Sequence, residues 1–166
     1  MPWKITAASV CGASHEKLGW PCQDAHHWMV LSECVLIAAV ADGAGSATMG
    51  DIGAGIASRV AVESIAQRGI PLPENDVGLK DLLTQSLKVA REAIELEASV
   101  YEVSERDLAT TLILVVATPD LAAAAQIGDG AAIIGDNQDN IIGLTSPQTG
   151  EYINQTNFLI SPDSVS

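Results

Sequence analysis

The chain has 166 residues, of which 48% are hydrophobic and 4% aromatic, and its formal net charge at pH 7 is −13. That length suits one domain, residues 1–166, with a core of Ala, Val, Ile and Leu, and the negative charge argues against non-specific binding to nucleic acid or to an anionic membrane surface. No apolar run approaches the roughly 20 residues of a membrane span, and the N-terminus has no apolar signal-peptide region. The expected location is the cytoplasm, and the oligomeric state is left open.

The cysteine count agrees with that location. Cys11, Cys22 and Cys34 are odd in number and lack CxxC spacing. Free thiols in a reducing compartment are the favoured interpretation. Zinc binding with His26 and His27 is the alternative.

The first part of the chain reads as strands. Residues 3–11, 25–31 and 35–41 combine β-branched, aromatic and small apolar residues, and Ser32 and Glu33 mark a tight turn between the second and third. We therefore predict a hairpin over residues 25–41, preceded by another strand.

Two helices are predicted next. Apolar residues recur near helical spacing over residues 47–67, and Gly69 suits a C-terminal cap. Residues 70–78 are rich in Pro and turn formers and read as a loop. A second helix is predicted over residues 79–103, with a leucine-rich stripe on one side. Four antiparallel strands should follow, at residues 110–117, 122–127, 131–134 and 141–145. Turns are predicted at 119–120 and 137–140, and a last strand-like stretch at 156–160. This order of elements indicates an α+β fold.

Three acids lie at the ends of predicted strands. Asp24 precedes one strand, and Asp42 and Asp129 each follow one, with glycine directly after both. Carboxylate oxygens suit Mg²⁺ or Mn²⁺, and glycine lets backbone carbonyls approach an ion. Each acid alone has an ordinary alternative, because Asp-Gly also forms turns, Ser46 can cap the helix after Asp42, and Asp24 can be a surface acid.

Four segments carry a family resemblance: GASHEKLGWPCQDAH at 12–26, DGAGSATMGDIGAGIAS at 42–58, Ala-Thr-Thr at 109–111 and Gly-Asp-Gly at 128–130. In this order they resemble metal-dependent protein phosphatases of the PP2C (PPM) family, most closely its bacterial branch. The resemblance implies an α-β-β-α sandwich of two antiparallel sheets, with the metal site between them at one end.

The resemblance also implies a reaction. Two Mn²⁺ or Mg²⁺ ions, with a third, weaker site in some members, activate a water that hydrolyses phosphoserine or phosphothreonine in a protein substrate. Asp42 would bridge the two ions with the Gly43 carbonyl as a further ligand, Asp24 would bind an ion or orient its water, and Asp129 would belong to the outer side. Thr110 and Thr111 would lie near the site without a ligand role.

This chain departs from the family pattern at several positions. Ala44 stands where a histidine often follows the Asp-Gly, which leaves His15, a bound water or nothing as the acid for the leaving group. Gln23 stands where glutamate is frequent. Nothing after Asp129 matches the family's two later aspartate motifs, so we expect the N-terminal portion of a phosphatase domain. The alternative is a catalytically inactive PP2C-like module that binds or regulates.

Overall fold

A computed structural model describes residues 3–136, 138, 140–147, 156–162 and 164–165. The regular elements are, in chain order, α1 (Ala13–Leu18), β1 (Asp24–Leu31), β2 (Val35–Asp42), α2 (Gly50–Arg68), α3 (Asp76–Tyr101), a 3₁₀ turn (Glu105–Leu108), β3 (Leu112–Ala117), β4 (Ala122–Ile127), β5 (Ile133–Gly135) and β6 (Ile141–Gly143).

The strands form two antiparallel sheets among the described residues. The larger sheet has the order β1-β2-β3-β4, and β5 pairs with β6 in a separate hairpin. Alternate residues of β2 are buried, as a strand with one covered face requires: Val35, Ile37, Ala39 and Ala41. The predicted α+β class is confirmed, with a smaller second sheet than the first.

The β1–β2 hairpin places two acids together. Ser32 and Glu33 both have positive φ, 47° and 63°, as a tight hairpin turn requires. The register that follows sets Asp24 directly opposite Asp42 at the far end of the hairpin. The predicted turn and both predicted strands are therefore confirmed, and the turn fixes which acids meet.

Two helices cover one face of the large sheet. α2 packs across β1 and β2 and against α3. Its buried side consists largely of small residues, and Gly53 lies so close to the Leu108 carbonyl that a Cβ there would overlap it. α3 begins with an Asn75 side chain that accepts a hydrogen bond from Gly78 N at 2.8 Å, and it buries a leucine-rich stripe. The opposite face of the sheet leaves Trp28 and Val40 exposed.

Several sequence-based predictions are corrected. Residues 3–11 form no strand: Trp3 donates from Nε1 to the Cys34 carbonyl at 2.9 Å, so its contact is through the side chain instead of a ladder. The composition of a segment can favour a strand, but it does not show whether a neighbouring strand is available to pair with it. Residues 159–160 lie in a turn that anchors Leu159 N on the Thr110 carbonyl at 2.8 Å.

Helix α1 and the 3₁₀ turn were not predicted, and the other differences are at boundaries. α2 starts three residues later than predicted and ends at Arg68, with Gly69 as its cap. α3 starts three residues earlier, which shortens the predicted loop, and β3, β5 and β6 are shorter than expected. The turn at 119–120 is confirmed by a hydrogen bond from Thr118 N to Leu121 O at 2.7 Å. Of the turn at 137–140, Asn137 and Asp139 lie outside the described residues.

Candidate metal centre and active site

The site is organised around a pair of carboxylates. Asp24 and Asp42 face each other across β1 and β2 on the side of the sheet away from the helices. The pKa of Asp42 is raised from 3.8 to about 6. Partial burial is the largest cause, followed by the negative charge of Asp24, the hydrogen bond between the two carboxyl groups and the charge of Asp129, while His15 opposes the shift. Without a cation, this pair therefore holds a proton below about pH 6.

Two threonines fix the backbone of Asp42. The Asp42 carbonyl accepts hydrogen bonds from Thr111 N at 2.9 Å and from Thr110 Oγ1 at 3.0 Å. Asp42 N donates to Thr111 Oγ1 at 3.0 Å. Both threonines are buried. The sequence placed them near the site without a role, and the structure gives them one: they set the position of the central acid.

The loop after Asp42 is held on two sides. On one side, Gly43 N donates to the Gln23 carbonyl at 2.9 Å, and Gln23 Nε2 donates to the Ala47 carbonyl at 3.2 Å. Gly43 lies so close to the Gly50 carbonyl that a Cβ would overlap it. These contacts explain the glycine after Asp42 and give the loop one conformation.

The other side of the loop rests on the chain that leads into β3. Ala44 N donates to Ala109 O and Met49 N to Asp107 O, each at 2.8 Å. Thr48 Oγ1 donates to the Asp107 carboxylate at 2.9 Å, and the same carboxylate accepts from Ser104 N in a capping box. The loop is thus attached to the same segment before β3 that carries Thr110 and Thr111.

Asp129 lies in the loop that follows β4. Gly128 has φ 117°, which favours glycine, and Gln126 Nε2 donates to the carbonyls of Gly128 and Gly130 at 2.8 and 2.6 Å. Asp129 lines a cavity of about 330 Å³ together with Asp24 and Asp42. The loop runs five residues before β5 begins, so Asp129-Gly130 is not a two-residue hairpin turn.

Two histidines approach the acids from different sides. His15, on α1, lies 5.5 Å from the Trp20 ring and lines a cavity of about 310 Å³ with Asp24, Asp42 and Gly43. His26 lines the 330 Å³ cavity, and its Nδ1 is 2.9 Å from Ser9 Oγ. The sequence pointed to His26 only as an alternative zinc ligand, although its position two residues after Asp24 on a strand puts both side chains on the same face.

The predicted acids come together only in part. Asp24 and Asp42 interact directly, whereas Asp129 acts on Asp42 through its charge. Among the described residues, no three His, Cys, Asp or Glu side chains lie close enough together to hold a metal ion. The donor set nevertheless suits a hard cation, because its oxygens are paired, partly buried and mutually repulsive. The three cysteines are free thiols.

Comparison with known proteins decides the family. Residues 11–166 match the family described as Protein phosphatase 2C. The chain belongs to the protein phosphatase 2C family. It is 34% identical over 171 residues to Serine/threonine-protein phosphatase 3 of Escherichia coli (strain K12), covering 100% of this chain and 66% of that protein.

Solved structures support the PP2C fold. Serine/threonine phosphatase Stp1 from Staphylococcus aureus superposes with a TM-score of 0.54 at 19% identity, over 75% of this chain and 47% of that one. Serine-threonine phosphatase 2C from Toxoplasma gondii gives 0.56 at 15% identity, over 78% and 46%. The chain therefore spans about half the length of these PP2C structures and 66% of its curated relative.

The predicted family and fold are confirmed by these matches. The roles assigned to His15, Asp24, Asp42, Gly43 and Asp129 remain predictions. Within the described ranges, no helix combines the length and apolar character needed to cross a membrane.

Proposed function

We propose that this chain supplies part of the active site of a protein serine/threonine phosphatase that uses Mn²⁺ or Mg²⁺. The observation that carries the proposal is the facing pair Asp24 and Asp42, within a PP2C fold, with the pKa of Asp42 raised to about 6. The name of the curated relative supports phosphoserine and phosphothreonine in proteins as substrates.

The residues proposed to hold cations are Asp24, Asp42, the Gly43 carbonyl and Asp129. We propose that Asp24, Asp42 and the Gly43 carbonyl would help to hold two ions, and that Asp129 would hold a weaker third. When bound, such cations acidify water and offset the charge of the phosphoryl oxygens. The acids fit this task because a cation would offset both the burial and the carboxylate repulsion that raise the pKa of Asp42.

The chain's other residues position this set and manage protons. Thr110 and Thr111 hold the Asp42 backbone, and Gln23 holds the loop that carries Gly43. Hydrolysis breaks the bond between phosphorus and the serine or threonine oxygen, and that oxygen must take up a proton. His15 borders the same cavity as Asp42 and Gly43, and we propose it as the donor in place of the histidine absent at Ala44.

The experiment is a phosphatase assay with p-nitrophenyl phosphate and a phosphothreonine peptide, with and without millimolar Mn²⁺. In a protein that joins this chain to the family's two later aspartate motifs, we expect cation-dependent turnover that Asp42→Asn abolishes. His15→Gln should lower turnover of the phosphothreonine peptide by about 10²-fold or more and that of p-nitrophenyl phosphate far less, because nitrophenolate leaves without a proton. Asp120→Asn, in the exposed turn between β3 and β4, is the matched control and should have no effect. Cation-dependent turnover that persists in Asp42→Asn would contradict the assignment of the central ligand.

A further inference from the structure

An apolar row lies on the outer side of α3, away from the core. It consists of Val89, Ala93, Leu96 and Val100, and we call it the α3 seam. Val89, Leu96 and Val100 are 40%, 67% and 68% exposed. The core side of the same helix is formed by other residues, among them Ala90, Ile94 and Ala98. Packing among the described residues therefore does not account for the seam.

The spacing of the α3 seam selects a kind of partner. Its residues are separated by four, three and four positions, which is the alternation of a heptad seam on a helix. Side chains so spaced form a straight stripe about 17 Å long, against which another helix can interdigitate. An extended peptide would repeat every second residue instead.

The charges beside the α3 seam indicate the charge that a partner helix should carry. On α3 itself, the flanking positions that remain outside the core are Glu92, Glu97 and Ser99, with no Lys or Arg among them. From the neighbouring helix α2, Arg68 lines a groove with Val89, at the N-terminal end of the seam only. Two copies of the seam packed on each other would bring these glutamates together, which disfavours a homodimer. A helix with Lys or Arg beside its apolar stripe is complementary.

We propose that the α3 seam docks a basic amphipathic helix from another protein. The contact covers about three helical turns, which is small for a protein interface and indicates a transient complex. The proposal concerns a surface distinct from the acidic site and does not depend on catalysis.

The experiment uses the full chain and two synthetic helical probes. Both carry Leu and Ile at heptad a and d positions; one has Lys at e and g, and the other has Glu there. Binding is measured by fluorescence anisotropy at low and at raised salt. The test variant is Leu96→Gln with Val100→Gln. The control is Val77→Gln, because Val77 is 71% exposed on the same helix but lies off the seam. Circular dichroism confirms that each variant is folded.

We expect the Lys probe to bind with a Kd of about 10–100 µM, at least tenfold more tightly than the Glu probe, and to weaken with salt. The double variant should lose about tenfold in affinity, whereas Val77→Gln should be unchanged. The proposal is overturned if neither probe binds, if both bind equally, or if Val77→Gln loses as much as the double variant. It is also overturned if the double variant abolishes self-association or vesicle binding by the chain, since the seam would then serve a second copy or a lipid surface.

Discussion

Thr111 holds both polar groups of the Asp42 main chain: its N donates to the Asp42 carbonyl at 2.9 Å, and its Oγ1 accepts from Asp42 N at 3.0 Å. The central acid is therefore positioned by β3 as well as by its own strand. Its main chain is therefore held independently of the loop that follows it.

Thr111→Val tests this relationship, because valine keeps the shape and removes the hydroxyl. Asp42 N would lose its partner, and we expect a loss of about 1–3 kcal/mol in the free energy of unfolding, measured with urea. Thr111→Ser retains the acceptor and should cost clearly less. Equal losses in the two variants would show that the methyl group matters and the hydrogen bond does not.

The stability of the metal-free protein should fall as pH rises through the acidic range. The pKa of Asp42 is about 6 in the folded chain, above its ordinary value of 3.8, so the folded state binds more protons between these values. The stabilisation is complete below about pH 4 and is lost as pH rises through 6. Because Asp42 is partly exposed, the effect on the melting temperature should be a few degrees at most.

Asp42→Asn removes this titration. In EDTA at pH 7 the variant should melt higher than the parent, and its melting temperature should change less between pH 4 and 7. Asp120→Asn should keep the parental pH dependence. An Asp42→Asn curve that follows the parent at every pH would show that another group is responsible.

Cation binding should raise the melting temperature of the parent. A cation that binds only the folded state stabilises it by mass action, and here it also relieves the repulsion between Asp24 and Asp42. We expect a rise of several degrees at millimolar Mn²⁺ and little response in Asp24→Asn or Asp42→Asn. A parent melting curve that is identical with Mn²⁺ and with EDTA would remove the metal site from this chain.

Gln23 holds the loop after Asp42 through its amide. Its Nε2 donates to the Ala47 carbonyl, and its Oε1 is buried without a partner among the described residues. Gln23→Glu would replace that donor with a carboxylate facing a carbonyl and add a further negative charge. We expect a loss of about 1–3 kcal/mol in the metal-free unfolding free energy, partly recovered in Mn²⁺. A loss of the same size in both conditions would separate Gln23 from the cation site.

The face of the large sheet that carries no helix should favour self-association. Trp28 and Val40 are exposed there, and contiguous apolar sheet surface tends to be covered. We expect sedimentation velocity to show concentration-dependent oligomers that Trp28→Gln with Val40→Thr reduces. If the exposed residues of the α3 seam were responsible instead, the oligomers would persist in this variant and disappear in Leu96→Gln with Val100→Gln.

Local patterns predicted the hairpin and its acids well. Ser32 and Glu33 carry the turn, and counting back along both strands from that turn brings Asp24 opposite Asp42. The stripe on α3 and the cap at Gly69 also follow from spacing alone. These features depend on neighbours close in sequence, where periodicity is informative.

Features that depend on distant residues could not be predicted in this way. The contact between Thr111 and Asp42 joins residues 69 positions apart. The segment at 3–11 would need a partner strand, and its own sequence does not indicate which strand that would be. The place of His26 beside the acids follows from strand alternation, but only once Asp24 is known to face the cavity. Asp129 was predicted to join the acids, and its distance from them depends on how a five-residue loop folds.

Asp107 joins the segment just before α2 to the turn that follows α3, two parts of the chain about 60 residues apart. Its carboxylate accepts hydrogen bonds from Thr48 Oγ1 and from Ser104 N, at the start of the 3₁₀ turn. Its carbonyl accepts a hydrogen bond from Met49 N, just before α2. A change at this half-buried surface residue would reach the loop after Asp42, the entrance of α2 and the exit of α3 at once. The loop after the acidic pair and the segment that follows the helix bearing the apolar seam are thus both hydrogen-bonded to this one residue. A displacement of either can therefore shift the other.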